Sequence, residues 1–509
     1  MQWSRATEEA ARIAARWTAE GGPGGAVVLF NGAHIHSESF GGLASLELNL
    51  PFTAETVVRY ASISKHFCAA LLLRLQADGL LSLDDPLGAH LPGLARAQAA
   101  VSIARALDMT GGLPDIMETL WLLGVPWSAA IDRHALLALI SSIDALNFPP
   151  GSEISYSNTG YRLVEAAITL KSIHYGNALR ERFFRPAGLL IRLPEDETEP
   201  VPGLAAGYWR SDEGWRRGRY GLHYSASGGL TGSARDLVAW LMALMMGRAP
   251  AADLLAPLGA RRRLSNGAQT GYGLGLARSP LPGEIAVGHG GSLPGYKNHF
   301  LLLPERQAGV VVVSNREDTD AHGIALRVMA ALCGVDLQRP AHNALPEGMF
   351  VADKGPFWIE HARGELSFLG ATEQLFEDED GSVVSRSAHL PMRLQRTESG
   401  IAGEIGHVAR DFAPVRPGIV LARGWEGEWV NEQHAARCAI ERIEGGARFL
   451  IAAGALRTTL TLTALDPYRA LTDRRDGPWR QRACLLLNPR THTLRLMTNR
   501  SRVLQFRKA

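Results

Sequence analysis

One short pattern in the sequence could supply a catalytic nucleophile, the S-x-x-K run from Ser62 to Lys65. The residues that follow predict a helix from Ser64 to about Ala77. Because three residues make nearly one helical turn, the Lys65 side chain can reach the Ser62 hydroxyl. A serine needs such a neighbouring base or electrostatic partner to act as a nucleophile. The alternative is a serine that caps a helix beside an exposed lysine.

Two later groups could complete a catalytic site. Tyr156 and Asn158 lie in PPGSEISYSNTGY, where a Pro-Pro-Gly break predicts a loop that points side chains into a cleft. His289 lies on the predicted strand IAVGHGG, and the adjacent Gly290 and Gly291 would let a substrate backbone approach closely. Taken singly, Tyr156 could be an aromatic side chain that caps a loop, and His289 a strand histidine with satisfied hydrogen bonds. Together with the S-x-x-K run they form a specific pattern.

With these three motifs the sequence resembles the penicillin-recognising serine hydrolases, which include class C β-lactamases, DD-carboxypeptidases, esterases and D-aminopeptidases. The resemblance covers about residues 20–335 and includes the connecting segments ADGLLSLDDPLGAHLP, VSIARALDMTGGLPD and YSASGGLTGSARDLVAWL. It implies an α+β catalytic domain of the β-lactamase/transpeptidase type, with an antiparallel sheet between helices on both sides.

The resemblance also implies a role for each residue of the motifs. Ser62 would be the acylated nucleophile and Lys65 its base or activator. Tyr156 would be a general acid/base that relays the proton to the leaving group, while Asn158 would hold Lys65 or the substrate amide. The backbone N–H groups of Ser62 and Ser292 would form the oxyanion hole, whose preorganised donors usually contribute most to acyl transfer. The sequence leaves open whether Lys65 or Tyr156 takes the first proton.

The third motif departs from the Lys-Thr-Gly that many relatives carry. His289 stands in place of the cation and Gly290 in place of the hydroxyl residue. A histidine is close to neutral at pH 7, so recognition of a substrate carboxylate should be poor. Carboxypeptidase and penicillin-hydrolysing roles therefore become less favoured than esterase and aminopeptidase roles, which occur in relatives with a His-x-Gly motif.

Around the motifs, the first two-thirds of the chain predicts a mixture of helices and strands. Helices are predicted at about 5–19, 131–142, 159–171, 234–247 and 322–333, in addition to the one that begins at Ser64. Predicted strands are AVVLF, AHIHSESF, IAVGHGG, NHFLLLP and AGVVVVSN. The strands stand at both ends of this region, so the sheet should be closed by both ends of the domain.

From about Leu345 the sequence changes to short alternating strands separated by turns, which predicts a β-sandwich or barrel. The segment EGMFV at 347 is echoed by EGEWV at 426, a period of 79 residues that indicates one small β domain used twice. We predict a catalytic domain at 1–336, a linker at 337–346 and antiparallel eight-stranded β-barrels at 347–416 and 417–509.

Within the resembled family, two barrels after an S-x-x-K domain are typical of D-aminopeptidases, in which a loop of the last barrel enters the active site. The matching loop would lie at about 471–480. An aminopeptidase must bind an ammonium group, and a carboxylate is its simplest complement. Asp476 is the first choice for this role and Asp473 the second. The alternative is an exposed hairpin turn that contacts no substrate.

Composition excludes several other classes. The chain has 509 residues, with 53 Lys and Arg against 51 Asp and Glu, and no basic run that would follow nucleic acid phosphates. It has four widely spaced cysteines, which predict neither a disulfide framework nor a metal site. His34 and His36 have no third ligand nearby, and GYGLG at 271 lacks the context of a dinucleotide site.

We expect no cofactor, no membrane span and no signal peptide, hence a cytoplasmic protein, possibly a homodimer.

These observations predict a serine aminopeptidase that releases a small N-terminal D-amino acid or glycine from a small peptide or amino-acid amide. The preference for D-residues is implied by the resemblance alone. An esterase or weak β-lactamase on the same scaffold is the first alternative. A non-catalytic penicillin-recognising protein whose barrels bind a partner is the second.

Overall fold

A six-stranded antiparallel sheet forms the centre of the first domain in the computed structural model, which describes residues 1–509. The strands of this domain, in chain order, are β1 (Gly25–Asn31), β2 (Ile35–Gly41), β3 (Leu43–Ser45), β4 (Leu50–Pro51), β5 (Val57–Arg59), β6 (Tyr208–Ser211), β7 (Gly214–Arg217), β8 (Thr231–Ser233), β9 (Ala277–Leu281), β10 (Glu284–Leu293), β11 (Tyr296–Leu303) and β12 (Ala308–Ser314). The central sheet has the order β2-β1-β12-β11-β10-β9, and the other strands form three two-stranded sheets. The two ends of the domain thus meet where β1 pairs with β12.

Helices cover both faces of the central sheet. They are α1 (Trp3–Ala19), α2 (Ser64–Ala77), α3 (Arg96–Ala99), α4 (Ile103–Leu107), α5 (Ile116–Leu122), α6 (Arg133–Ser142), α7 (Thr159–Leu170), α8 (Tyr175–Leu179), α9 (Ala234–Met245), α10 (Leu255–Gly259) and α11 (Ala321–Cys333). Helices α1 and α11 pack on the face that carries Val27 and Leu29, whereas α2 and α9 belong to the larger core on the opposite face with Val28 and Phe30. This division follows from the alternation of side chains along a strand.

The predicted elements of this domain are confirmed in type and position. The six predicted helices correspond to α1, α2, α6, α7, α9 and α11, and their ends agree to within two residues. The short helices α3, α4, α5, α8 and α10 and the small sheets were not predicted, because elements of two to seven residues carry too few residues for a periodic pattern. Tertiary packing, rather than local sequence, stabilises such short elements.

Two closed antiparallel barrels of eight strands each follow the first domain, as the sequence predicts. The first contains β13 (Gly348–Ala352), β14 (Trp358–Ala362), β15 (Glu365–Phe368), β16 (Ala371–Glu377), β17 (Val383–Ser385), β18 (Met392–Thr397), β19 (Gly400–Ile405) and β20 (Val408–Pro414). The second contains β21 (Gly427–Asn431), β22 (Ala436–Ile443), β23 (Gly446–Ala453), β24 (Leu456–Asp466), β25 (Arg469–Asp476), β26 (Trp479–Asn488), β27 (Thr493–Met497) and β28 (Leu504–Lys508). Their first strands begin 79 residues apart, at Gly348 and Gly427.

A buried cluster of three charges joins the three domains. The Glu153 carboxylate of the first domain pairs with Arg410 of the first barrel at 2.9 Å and with Arg502 of the second barrel at 2.8 Å. All three side chains are nearly inaccessible to solvent. One carboxylate therefore fixes both barrels against the domain that carries the S-x-x-K run.

None of the helices combines the length and the hydropathy that a membrane span requires.

Candidate active site

Ser62 lies in a tight turn between a strand and a helix. A 3₁₀ turn, Ala61–Ile63, follows β5 and leads directly into α2. Ala61 has φ of 52°, a left-handed conformation that costs free energy for a residue with a Cβ atom. The Tyr60 hydroxyl, which donates to the Ser233 carbonyl at 2.5 Å, helps to hold this turn in place. The turn presents the Ser62 hydroxyl at the N-terminus of a helix, where the helix dipole favours developing negative charge.

Lys65 is completely buried beneath Ser62. Its Nζ atom lies 3.1 Å from Ser62 Oγ, 2.8 Å from Asn158 Oδ1 and 2.5 Å from the Ser227 carbonyl oxygen. Burial lowers the pKa of Lys65 well below its usual value. A neutral amine can donate to Asn158 and Ser227 and direct its lone pair at the Ser62 hydroxyl. This is the arrangement that a general base requires.

Asn158 is held in one orientation by a buried carboxylate. Asp115 Oδ2 accepts hydrogen bonds from the Asn158 side-chain amide at 2.8 Å and from its backbone N–H at 2.7 Å. The amide nitrogen therefore faces Asp115 and the amide oxygen faces Lys65. The other oxygen of Asp115 caps α5 by accepting from the Glu118 N–H at 3.1 Å. The geometry supports the expectation that Asn158 holds Lys65.

The Tyr156 ring lies close to two basic side chains. Lys65 Nζ is 4.8 Å from the ring centroid on the first-domain side, and the Arg500 guanidinium of the second barrel is 4.7 Å away. The His389 ring of the first barrel lies 5.1 Å from Tyr156. Burial raises the pKa of Tyr156, so its hydroxyl keeps its proton at neutral pH. A protonated Tyr156 can donate that proton to a leaving group.

Both ring nitrogens of His289 are engaged within the protein. Nδ1 lies 2.6 Å from the Gly290 carbonyl oxygen, and Nε2 lies 2.9 Å from the Tyr272 hydroxyl. These contacts assign the proton to Nδ1, which donates to the carbonyl, while Nε2 accepts from tyrosine. Burial lowers the pKa of His289 well below its usual value, so the ring is neutral. It offers no positive charge to a substrate carboxylate, in agreement with the prediction.

The strand that carries His289 has a free edge at the cavity. Strand β9 pairs with β10 only as far as Gly288, so β10 from His289 to Leu293 has no neighbour on that side. A Cβ atom on Gly291 would lie 2.0 Å from the Tyr60 carbonyl oxygen. Only glycine therefore lets β10 approach the Ser62 turn, which brings the backbone of Ser292 towards that of Ser62.

The two predicted aspartates do not line the cavity. Asp476 Oδ2 accepts from the Trp127 N–H at 2.8 Å, and Asp473 forms an exposed ion pair with Arg480. The loop itself does reach the cavity, but it does so with Pro478, Trp479, Arg480 and Gln481. Both aspartates thus contact protein groups, Asp476 across the domain boundary and Asp473 within its own hairpin.

All three domains contribute to a single cavity of about 980 Å³ above Ser62. No local motif predicts Asp115, Glu373, His389 or Arg500 in the site, although all four line the cavity. Glu373 forms no ion pair, and burial raises its pKa to about 7. His389 and Arg500, the two barrel residues near Tyr156, lie in turns. In such segments the sequence predicts only a change of chain direction. No group of His, Cys, Asp or Glu side chains in the structure could hold a metal ion.

Three features indicate the class of protein to which the chain belongs: the strand order of the central sheet, the S-x-x-K turn and the buried Lys65. The chain belongs to the beta-lactamase family, whose model matches residues 10–332. It is a serine hydrolase of that family, and the resemblance seen in its sequence is confirmed.

Similar curated proteins include D-aminopeptidases. The chain is 28% identical over 331 residues to the D-aminopeptidase of Gluconobacter oxydans (strain 621H), a match that covers 65% of this chain but only 62% of that protein. It is 27% identical over 450 residues to the D-aminopeptidase of Cereibacter sphaeroides (strain ATCC 17023), which covers 84% of this chain and 83% of the relative.

Solved structures share the fold. The octameric penicillin-binding protein homologue from Pyrococcus abyssi superimposes with a TM-score of 0.58 over the full length of both chains, at 18% identity. The D-amino acid amidase from Ochrobactrum anthropi SV3, solved with L-phenylalanine, gives a TM-score of 0.54 at 23% identity over 65% of this chain and 98% of that chain. At these identities the similarity concerns the fold alone.

Proposed function

We propose that this protein is a serine aminopeptidase that releases a small N-terminal D-amino acid, or glycine, from peptides and amino-acid amides. The observation that carries the proposal is the buried Lys65 amine beneath Ser62 in a cavity that both barrels enclose. The D-aminopeptidase of Cereibacter sphaeroides matches 84% of the chain, a longer stretch than the family domain alone. The preference for D-residues rests on the similarity to such relatives.

The reaction follows from the geometry of four groups. Lys65 accepts the Ser62 proton as Oγ attacks the substrate carbonyl carbon, and the backbone N–H groups of Ser62 and Ser292 stabilise the oxyanion. The C–N bond then breaks as Tyr156 donates a proton to the departing amine, and the proton on Lys65 returns to Tyr156. Water then attacks the acyl-enzyme and loses a proton to Lys65. The ester C–O bond breaks and Lys65 returns this proton to Ser62 Oγ, which regenerates the serine and releases the amino acid.

The substrate ammonium needs a negative partner within the cavity, and we propose Glu373 of the first barrel. It lines the cavity without an ion-pair partner, whereas Asp115 binds Asn158 and Glu118 binds Thr498. Asp476, the choice from sequence, has one oxygen bound to the Trp127 N–H. Asp476 also lies outside the cavity lining, so it stays the second candidate.

The test compares p-nitroanilides of D-Ala, Gly and L-Ala, each with a free and an N-acetylated amine, on the wild-type protein and on Ser62→Ala. We expect hydrolysis of the free D-Ala and Gly compounds, a large loss on acetylation and no activity in Ser62→Ala. Equal rates for free and acetylated substrates would reject an aminopeptidase and favour the esterase or weak β-lactamase. Activity that survives in Ser62→Ala would reject the nucleophile.

Two matched variants then separate the candidate partners of the ammonium. Glu373→Gln and Asp476→Asn each remove one negative charge without a change of size. We expect Glu373→Gln to raise KM for free-amine substrates at least tenfold, since a charge-assisted hydrogen bond contributes about 1.5–3 kcal/mol. The same increase in Asp476→Asn alone would assign the role to Asp476.

A further inference from the structure

A turn of the second barrel is bound directly to the catalytic residues of the first domain. Residues 498–503 connect β27 to β28, and we call the first five of them the 498–502 turn. The Arg500 carbonyl accepts from the Asp115 N–H at 2.8 Å and from the Asn147 side chain at 2.8 Å. The Arg500 N–H donates to Glu118 at 2.9 Å. The turn therefore supports the same Asp115 that orients Asn158 and, through it, Lys65.

Backbone groups of residue 500 make these contacts, and its side chain forms a further ion pair with Glu118. The Arg500 guanidinium lies 4.7 Å from the Tyr156 ring centroid. The distance from Arg500 Nε to Glu118 Oε1 is 3.7 Å. Arg500 also lines the cavity. The side chain thus places a positive charge against the tyrosine that also faces Lys65.

Other charged or titratable groups surround the Lys65 and Tyr156 pair. Burial lowers the pKa of His389 to about 3, and it also holds His289 neutral. The groups that face the pair or Arg500, taken element by element, are Cys68 of α2, Asp115 and Glu118 at α5, Tyr161 and Arg162 of α7, Tyr272 before β9, His289 of β10, Glu373 and His389 of the first barrel and Arg500 of the second.

We propose that Arg500 is a positioning residue for acyl transfer: its cation fixes the Tyr156 ring and favours proton release from the Lys65 and Tyr156 pair. The direction of each effect supports this. Burial has the largest effect on both groups: it lowers the pKa of Lys65 and raises that of Tyr156. At Lys65 the negative charge of Asp115 acts against burial. The positive charge of Arg500 lowers the pKa of both groups. The proposal rests on acyl transfer at Ser62, which peptidases and esterases of this class share.

The pH dependence of Ser62 acylation tests the proposal. The probe is p-nitrophenyl acetate, and the reading is the burst of nitrophenol between pH 5 and 9 in wild type, Arg500→Met and Arg500→Lys. Removal of a nearby positive charge raises the pKa of whichever group must lose its proton. We therefore expect the acid limb of the Arg500→Met profile to move up by about one pH unit. Arg500→Lys keeps the charge, so its acid limb should differ from that of the wild type by no more than about a third of that shift.

Arg507→Met is the matched control, since it removes the same charge from an exposed site on the same barrel. It should leave the profile unchanged. An unmoved acid limb in Arg500→Met with a normal thermal midpoint would overturn the proposal, as would a shift that Arg500→Lys fails to reverse. If Arg500→Met does not fold, Arg500→Gln provides the same comparison. A wild-type protein without a Ser62-dependent burst would overturn the proposal as well.

This outcome is distinct from failure of the proposed function. An ester without an amine reports only on acylation of Ser62. Insensitivity of the nitroanilides to N-acetylation would reject the aminopeptidase and leave the Arg500 result intact.

Discussion

At the scale of single residues, burial determines what each candidate group can do. Lys65 would be a cation and His289 would titrate near neutral pH in water, but burial lowers the pKa of each. The lowered pKa of Lys65 favours the neutral amine, the form that could act as a base beside Ser62, and the neutral His289 brings no positive charge to the cavity. Tyr156 is affected in the opposite sense, because burial raises its pKa and keeps it a proton donor.

Replacement of Lys65 tests its role as the base. Lys65→Met keeps the length of the buried side chain but removes the amine, and we expect acylation of Ser62 to fall roughly 10²- to 10⁴-fold. Stopped-flow measurement of nitrophenol release gives this rate. Lys171→Met, at an exposed position, should keep the wild-type rate. Comparable losses in both variants would contradict a catalytic role for Lys65.

The pKa of Glu373 predicts how amine recognition changes with pH. With a pKa of about 7, the carboxylate is largely protonated at pH 6 and ionised at pH 8. KM for free-amine substrates should therefore fall as the pH rises through 7, until the substrate amine loses its own proton near pH 8. Steady-state kinetics between pH 6 and 8 checks this. A similar pH dependence of KM in Glu373→Gln would exclude Glu373 as its source.

At the scale of elements, the close contact between β10 and the Ser62 turn sets the geometry of the site. The contact depends on Gly291, because a larger residue would collide with the Tyr60 carbonyl. Gly275 has a similar role on the other side, since a Cβ atom there would lie 2.8 Å from the His66 Cα atom. The GYGLG segment is therefore packed against the first turn of α2.

Gly291→Ala should impair catalysis more than stability. The added methyl group forces β10 away from the Ser62 turn, and a displacement of about 1 Å at reacting atoms can reduce rates about 100-fold. Acylation rate and thermal midpoint should be measured together. Gly446→Ala, where the added Cβ atom meets open space, is the control for glycine replacement in a strand. An unchanged acylation rate in Gly291→Ala would show that the contact is dispensable.

The β25–β26 hairpin is the element that we expect to limit substrate size. The Trp479 and Trp127 rings pack edge-on with their centroids 4.5 Å apart. The Trp479 Nε1–H group donates to Glu317 Oε1 at 3.0 Å. Deletion of residues 474–478 should weaken aminopeptidase activity and increase acylation by a labelled penicillin, because it opens the cavity. Shortening the exposed β22–β23 turn provides the control. Equal penicillin labelling before and after the hairpin deletion would mean that the hairpin does not restrict access.

The sequence predicted the elements better than the contacts between them. Ser62, Lys65, Tyr156, Asn158 and His289 can be predicted as candidates from the sequence, because each lies in a local motif. The contributions of the barrels had no local signal, since Arg500 and His389 meet Tyr156 across hundreds of residues of chain. The hairpin was predicted to approach the site, but which of its side chains enters depends on strand register and twist, which the sequence does not specify.

At the scale of the whole molecule, Glu153 joins three domains through one buried carboxylate. Glu153→Gln would leave Arg410 and Arg502 without a compensating charge, and removal of one partner from a buried pair costs about 3–5 kcal/mol. We expect a lower denaturation midpoint and faster proteolysis in the 337–346 linker. Glu441→Gln, at an exposed position, should change stability by less than about 0.5 kcal/mol. Equal stability of the two variants would contradict this role.

The position of the 498–502 turn between the last two strands has a consequence for synthesis of the protein. Strand β28 closes the second barrel by pairing with β21 and β27, and the turn precedes it directly. A ribosome-bound chain that already contains all the residues of the family domain still lacks Arg500 and the partner of the Asp115 N–H. Hydrolytic competence should therefore develop only after the last strand emerges, so a nonsense mutation near residue 498 would act as an active-site mutation.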